Sequence, residues 1–450
     1  MPDLSQQREA LAVDIIKTLR AHNQQAFLVG GCVRDRLWGI VPKDFDVSTD
    51  ARPDQIISIF PRAQLVGAKF GVVLVKQTSD VCVEVATFRS EGNYADGRHP
   101  EDVRFETDPA RDAQRRDFTI NGIFEDPLAR RIYDFVGGKP DLEARVLRTI
   151  GSPERRFEED HLRLLRAVRF AARFQLSVDE KTLRGMQRFA PQICQTSAER
   201  IREELVRILT EGGARYGFEL LDRAGLLEHI LPEVKACQGV EQPPEFHPEG
   251  DVWKHILLML ESMKDASRTL AWGVLLHDIG KPPTFRIAER IRFDGHAEVG
   301  TVMARRRLEQ LKASSEDIER VSSLVANHMR FKDVPHMRVS TLKRFLRTPH
   351  FEEHLELHRL DCLASNGRTD VYDFLRSKLA EFNTEQLRPP RLLTGDDLIN
   401  AGYLPGPAFK TVIELTETAQ LEGEIETREQ ALTLARRILS DEQIVQKPQT

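Results

Sequence analysis

The distribution of apolar and polar positions divides the chain into a first part that mixes strands with helices and a long helical remainder. MPDLSQQREALAVDIIKTLR spaces its apolar positions as an amphipathic helix, capped at Asp3 or Ser5. AFLVGG reads as a buried strand running into a turn, and CVRDRLWG as a short helix stopped by Gly39. DFDVST is the next strand. GVVLVKQ and CVEVATFR then alternate with the period of a half-buried strand, joined by the polar turn Thr78-Ser79-Asp80. SEGNYADGRHPEDV is a long polar loop, and RIYDFVGG a last strand closed by Gly137-Gly138.

From Asp141 onward the period is helical. EEDHLRLLRAVRFAARF reads as one strong helix, and SAERIREELVRILT as another. Ser197 is the N-cap of the second, with Glu199 in the first turn, where a negative charge suits the helix dipole. Three prolines in EQPPEFHPEGD mark a boundary near residue 241, LRPPR marks another, and Thr427-x-x-Gln430 opens the last helix as a capping box. The expected organisation is an α+β head with a mixed sheet at 1–138, a helical neck and body at 139–240, a helical histidine-bearing domain at 241–375 and a helical tail at 376–450.

Composition changes this picture little. At 450 residues several domains are expected, and 40% apolar with 30% charged residues describes an ordinary globular protein. A formal charge of -5 excludes a chain-wide basic surface, so any nucleic-acid contact must be local. Residues 145–223 hold 16 Lys and Arg against 12 Asp and Glu, a modest local excess. The five cysteines are odd in number and show no CxxC spacing, which reads as free thiols in a reducing cytosol. No apolar run approaches a membrane span and the first helix is no signal peptide, so a cytoplasmic protein without a membrane partner is expected.

Two constellations carry chemistry. In GGCVRDRLWGIVPKDFDVSTD, Asp44 and Asp46 are two apart on a strand and project hard oxygen ligands for Mg²⁺ to one face. Glu84 is the candidate third carboxylate of a two-metal clamp, because Val83 and Val85 beside it take the opposite, buried face. Gly30-Gly31 at a helix start lets backbone N–H groups approach phosphate, and Arg34 adds a charge-assisted contact. The second constellation is His255, His277-Asp278, His296, His328 and Asp361. One buried histidine is commonly a satisfied core residue. Four on separate segments, with aspartates, form a mixed nitrogen and oxygen set suited to a transition metal or paired divalent ions, whose identity stays open.

The first stretch, up to Thr49, resembles the signature of the class II tRNA nucleotidyltransferase and bacterial poly(A) polymerase family, in the DNA polymerase β-like superfamily. RRDFTING resembles that family's second motif, which implies ribose recognition by Arg116, Asp117 and Asn121; Gly122 stands where alanine is expected. RSEGNYADGRHP resembles the flexible loop linked to the switch toward terminal A, with Tyr94, Asp96 and Arg98 in order. EDHLR resembles the nucleotide-selecting motif, with Asp160 and Arg163 on one helix face and Glu159 steadying Arg163. Cytosine and adenine both present an amino donor beside a ring-nitrogen acceptor, which an aspartate and an arginine complement. Uracil and guanine present the reverse and leave both groups mispaired. The plain alternative is a helix-surface ion pair worth a few tenths of a kcal/mol. Arg166, Arg169 and Arg173 continue along this helix as triphosphate or RNA contacts, with solvated charge an equally good account.

The histidine order resembles the HD phosphohydrolase domain, with Lys281 placed to contact phosphate. RLLTGDDLINAGYLPGPAFKTVIELTETAQLEGEI resembles the C-terminal segment of HD-bearing tRNA nucleotidyltransferases. Together these resemblances imply template-independent addition of CMP and AMP, from CTP and ATP, to the 3′ end of tRNA, with no DNA partner. They also imply a fused, metal-dependent phosphatase or 2′,3′-cyclic phosphodiesterase. Two relatives in activity compete: an A-adding-only enzyme, and a poly(A) polymerase, which the HD block argues against. From another class comes an HD phosphohydrolase with an RNA-binding N-terminal module.

Overall fold

The computed structural model describes residues 3–67, 71–92, 103–382 and 384–441, so Tyr94, Asp96 and Arg98 lie outside the described residues. The chain divides into two units, Met1–Ala236 with Arg307–Ala313, and Cys237–Arg306 with Ser314–Thr450.

Nine strands of the first unit matter for the site: β1 (Ala26–Val29), β2 (Asp46–Thr49), β3 (Ala63–Gly67), β4 (Val72–Lys76), β5 (Cys82–Thr87), β6 (Arg89–Glu91), β7 (Val103–Phe105), β8 (Ile123–Asp126) and β9 (Arg131–Asp134). β6 and β7 pair by themselves, while the other seven form one sheet in the order β3-β4-β5-β2-β1-β8-β9. Every neighbour pair in that sheet is antiparallel except β2 with β5. Side-chain alternation supplies both faces with a core. Ala26, Leu28, Val47, Val73, Val75, Val83 and Val85 pack with Ala12, Ile15, Ile16 and Leu19 of the helix Leu4–Ala21. Phe27, Val29, Phe88 and Phe124 gather on the other side. Each fully buried Val, Leu, Ile or Phe contributes roughly 1.5–3 kcal/mol, so the register is strongly held. Burial of Val83 and Val85 turns Glu84 to the same face as Asp46.

Local chemistry departs from expectation at three points. Asp3 stands at the N-cap of the first helix without a side-chain capping bond, and Ser5 Oγ instead donates to Pro42 O at 2.6 Å. β2 begins at Asp46, so Asp44 lies in the segment before the strand, not beside Asp46 on it. The helix expected through EEDHLRLLRAVRFAARF is broken: one helix covers Pro153–Glu159 and the next Arg163–Phe174. Asp160 between them is extended, with φ -149° and ψ 106°. Its carboxylate accepts the Leu162 N–H at 3.0 Å and its carbonyl accepts the Arg163 N–H at 3.0 Å. An aspartate that binds neighbouring backbone offers the chain this alternative to a continuous helix. Ser197 is the N-cap of Ala198–Thr210, again without a side-chain bond.

The second unit is helical, and its principal helices include Val252–Ser262, Arg268–Leu276, Ser315–Asn327 and Phe351–Ala364. The tail has a core of its own, with Leu398, Val412, Ala419, Ala431 and Leu439 buried together. Its last helix opens with the reciprocal bonds of a capping box, Gln430 N–H to Thr427 Oγ1 at 3.3 Å and Thr427 N–H to Gln430 Oε1 at 3.0 Å. Among the described residues, no helix is long and apolar enough to cross a membrane.

None of the five cysteines is in a disulfide. Cys32 is buried, and burial pushes its thiol up to about 12, whereas Cys194 is exposed. Since the thiolate is the reactive form, a maleimide at neutral pH is expected to label Cys194 in the native protein and Cys32 only after denaturation. Peptide mapping by mass spectrometry reads the order.

Candidate functional site

The head site is assembled from the turn after β1, the start of β2 and the middle of β5. Gly30 has φ 76°, a conformation that favours glycine, and a side chain there would lie 3.4 Å from Arg116 Nη1 and 3.9 Å from Asp46 Oδ2. The backbone of the Gly30-Gly31 turn therefore faces one acid and one guanidinium. The parallel register of β2 and β5 sets Asp46 beside Glu84. Burial, then the Glu84 charge, raise the Asp46 carboxyl to about 6 against the opposing pull of Arg116. Two adjacent carboxylates, one raised by the other, form a donor set whose repulsion a hard divalent ion would relieve. Asp44 is exposed and drawn aside by Arg8, with Nη1 to Oδ1 at 2.9 Å. Among the described residues, Asp44, Asp46 and Glu84 are not a trio with all ligand atoms within 4.8 Å.

A chain of buried polar contacts ties this turn to the Arg163–Phe174 helix. Arg34 donates from Nε and Nη2 to Asp35 Oδ1 at 2.8 and 2.6 Å, and from Nη1 to Asn121 Oδ1 at 2.6 Å. Its guanidinium also lies 4.3 Å from the Phe174 ring centroid. Asn121 Nδ2 donates to Asp117 Oδ1 at 3.1 Å, and Asp117 Oδ2 receives Arg166 Nη2 at 2.6 Å and Nε at 3.0 Å. Burial alone would raise the Asp117 carboxyl, but Arg166 and these bonds hold it well below the usual range. Arg34 is thus bound within the protein, with Asp35 as its partner.

Asp160 and Arg163 reach the same cleft from separate supports. Asp160 pairs with Arg200 at 3.0 Å, while Arg163 Nη1 donates to Glu159 Oε2 at 2.6 Å. A cleft of about 430 Å³ is lined by Gly30, Gly31, Arg34, Asp46, Arg116, Asp117, Asn121, Asp160, Arg163 and Arg166. Arg169 is not among the lining residues. Six positions along a helix rotate a side chain roughly 120° away from Arg163, and Arg169 is buried against Glu204 at 3.1 Å. Sequence reasoning missed Arg115, Leu162, Phe170 and Arg200 in the lining. Arg200 had no spacing signal, because only the tertiary fold brings its helix to Asp160. The lining holds six arginines against three aspartates, a balance suited to a polyphosphate.

The six expected ligands of the second unit converge. The ligand atoms of His255, His277 and Asp361 lie within 4.8 Å of one another, as do those of Asp278, His296 and His328. His255 Nε2 is 3.2 Å from Asp361, and His296 Nε2 is 3.1 Å from His328 Nε2. His255 Nε2 and His277 Nε2 are buried against carboxylate oxygens, of Asp361 at 3.2 Å and of Asp278 at 3.1 Å, and Asp278 Oδ1 is buried without a hydrogen-bond partner. Imidazole nitrogens and carboxylate oxygens buried together in this way fit a bound metal ion. Gly280 permits the convergence: a methyl there would run into the His296 carbonyl oxygen and lie 2.7 Å from the Gly300 nitrogen. Lys281 is buried, pairs with Asp278 at 2.7 Å, donates to Gln242 at 2.6 Å and lines the cleft beside the cluster. Burial would raise Asp278, yet His277 and Lys281 hold it well below the usual range. A cleft of about 710 Å³ opens on the cluster. His247 and Glu249 join the cluster at His255. They lie in the proline-rich segment that the sequence marks only as a boundary.

Comparison with known proteins gives three matching domains: "Poly A polymerase head domain" over residues 26–148, "Probable RNA and SrmB- binding site of polymerase A" over 175–238, and "HD domain" over 251–364. The chain is 35% identical over 269 residues to the CCA-adding enzyme of Geobacillus thermodenitrificans, covering 60% of this chain and 63% of that protein. It is 34% identical over 237 residues to poly(A) polymerase I of Haemophilus influenzae, covering 50% and 52%. These matches span less than two thirds of the curated relatives' length. The crystal structure of a Bacillus stearothermophilus CCA-adding enzyme in complex with CTP is similar at a TM-score of 0.72 and 25% identity, covering 98% of this chain and 100% of that one.

The close packing at Gly280 makes a direct prediction. Gly280→Ala should destabilise the chain by roughly 1–3 kcal/mol, the usual cost of forcing atoms into a filled interior. Urea unfolding of the two proteins side by side measures it.

Proposed function

We propose, on the premise that this chain belongs to the nucleotidyltransferase family that carries the poly A polymerase head domain, that it adds CMP and AMP to the 3′ end of tRNA. The observation that carries the reading is the convergence of Asp160 and Arg163 with Asp46 and the Gly30-Gly31 turn on one arginine-rich cleft. Asp160 accepts from the amino group of cytosine or adenine, and Arg163 donates to the adjacent ring nitrogen. Arg200 and Glu159 hold the two side chains ready, so little ordering remains when the base arrives. The Gly30-Gly31 backbone admits the triphosphate closely, and Arg116 beside it offers positive charge. Asp46 and Glu84 would hold Mg²⁺, with Asp44 free to swing from Arg8. Bound there, the ion would lower the barrier by activating the 3′-hydroxyl and neutralising phosphate charge. The tRNA 3′ oxygen bonds to the α-phosphorus as the bond to the pyrophosphate oxygen breaks, and pyrophosphate leaves.

The second unit supports a separate, metal-dependent phosphohydrolase reading. The convergence of buried His255, His277, Asp278, His296 and His328 with Asp361 favours it, beside a cleft large enough for a phosphorylated RNA end.

The test is tRNA ending at its discriminator base. CTP alone should give two additions, and CTP with ATP should complete C, C and A. Addition of A without C would leave an A-adding enzyme, a long A tail a poly(A) polymerase, and no incorporation would end the proposal. Asp46→Ala should reduce incorporation by on the order of 10²–10³-fold, the usual loss on removing one charge-stabilising group. Arg163→Ala should let UTP compete with CTP, read by sequencing the extended ends.

A further inference from the structure

We propose that Glu249 is a positioning residue for the histidine cluster: its carboxylate fixes the proton of His255 on Nδ1 and so aims Nε2 at the metal. This rests on reading the cluster as a metal site.

The four ligand histidines all anchor one ring nitrogen, but they do so in two ways. His277 Nδ1 lies 2.9 Å from Val274 O, His296 Nδ1 2.8 Å from Phe293 O, and His328 Nδ1 2.7 Å from Val325 O. For His277 and His328 the reason is plain. Each directly follows a helix, Arg268–Leu276 or Ser315–Asn327, whose last carbonyls lack intrahelical partners. His296 begins its helix and uses a carbonyl from the preceding turn. His255 has no such carbonyl to use. It sits inside Val252–Ser262, where nearby carbonyls belong to the helix ladder. A different acceptor must orient it, and Glu249 Oε1 lies 2.7 Å from its Nδ1.

The same oxygen lies 2.8 Å from His247 Nδ1, and Glu249 Oε2 is buried without a hydrogen-bond partner. An ionised carboxylate only accepts, so both rings carry a proton on Nδ1, which leaves Nε2 as the nitrogen available to a metal. For His255 that nitrogen lies 3.2 Å from Asp361, and the ligand atoms of His255, His277 and Asp361 lie within 4.8 Å of one another. A charged acceptor also makes the ring a stronger ligand than a carbonyl does. His255 is therefore the one histidine of the four whose orientation depends on a removable side chain.

The competing use of the same atoms is a further ion held by His247, Glu249 and His255, whose ligand atoms also lie within 4.8 Å. Titration of the full, metal-stripped chain with Co²⁺, followed by visible absorption and by elemental analysis after dialysis, separates the two. Glu249→Ala should weaken Co²⁺ binding 10–100-fold at unchanged stoichiometry, the usual cost of losing such a supporting partner. Glu249→Gln should lose less, because its amide oxygen accepts one Nδ1–H without the charge. Urea unfolding of the metal-free variants shows whether each one folds; should the alanine variant fail, the glutamine variant carries the test. Unchanged affinity in the folded variants would overturn the proposal. So would the loss of one bound ion with the remaining affinity intact. A wild-type chain that takes up no Co²⁺ would instead remove the metal-site reading underneath it.

Discussion

A single buried carboxylate, Asp117, holds the first unit's cleft in shape. It joins the strand-borne turn to the Arg163–Phe174 helix, because Asn121, which itself accepts from Arg34, donates to one of its oxygens and Arg166 donates to the other. A charge taken out of water is costly unless it is paired and fully bonded. Here the bonds that satisfy Asp117 are the same bonds that set the distance between Gly30 and the Arg163–Phe174 helix. The geometry of the cleft is thus a by-product of meeting one electrostatic demand. Arg34, enclosed by Asp35, Asn121 and two aromatic rings, belongs to that demand before it belongs to any ligand.

The two candidate sites solve opposite problems with similar means. The head cleft gathers arginines and keeps several of them occupied with Asp117, Asp160 and Glu159, so that positive charge is held in place without collapsing onto an anion of the protein. The histidine cluster gathers imidazole nitrogens and carboxylates at one point. In both, the outer partner does the holding: a carboxylate behind an arginine in one case, a carbonyl or Glu249 behind a histidine in the other. Orientation is settled before a ligand arrives.

Much of this was legible in the sequence, for physical reasons. Period-two alternation put Val83 and Val85 in the core and Glu84 opposite them, because a one-residue slip would expose both valines. The mixed sheet, the helical remainder and the capping box at Thr427 follow from equally local rules. The features that escaped are those set by competition. Asp160 satisfied neighbouring backbone groups and broke a helix that periodicity alone would have carried through. Arg8, distant in sequence, drew Asp44 away from its expected partner. Arg200 and Glu249 gave no signal, since each acquires meaning only when another segment folds against it. Lys281 pairs with Asp278 one turn away, a partner that its spacing of three along the chain allows.

The break at Asp160 has a mechanical consequence. In a continuous helix the fourth residue's position would be dictated by the first, and the spacing of the two side chains would be a constant of the backbone. With an extended residue between two helices, the acceptor is suspended from Arg200 and the donor from Glu159, each on its own strut. On the proposed reading, the two halves of the recognition edge can then be adjusted one at a time. A change at Arg200 re-aims one without dragging the other, and a pocket that must admit both a pyrimidine and a purine keeps a hinge where a rigid rod would have allowed a single fit.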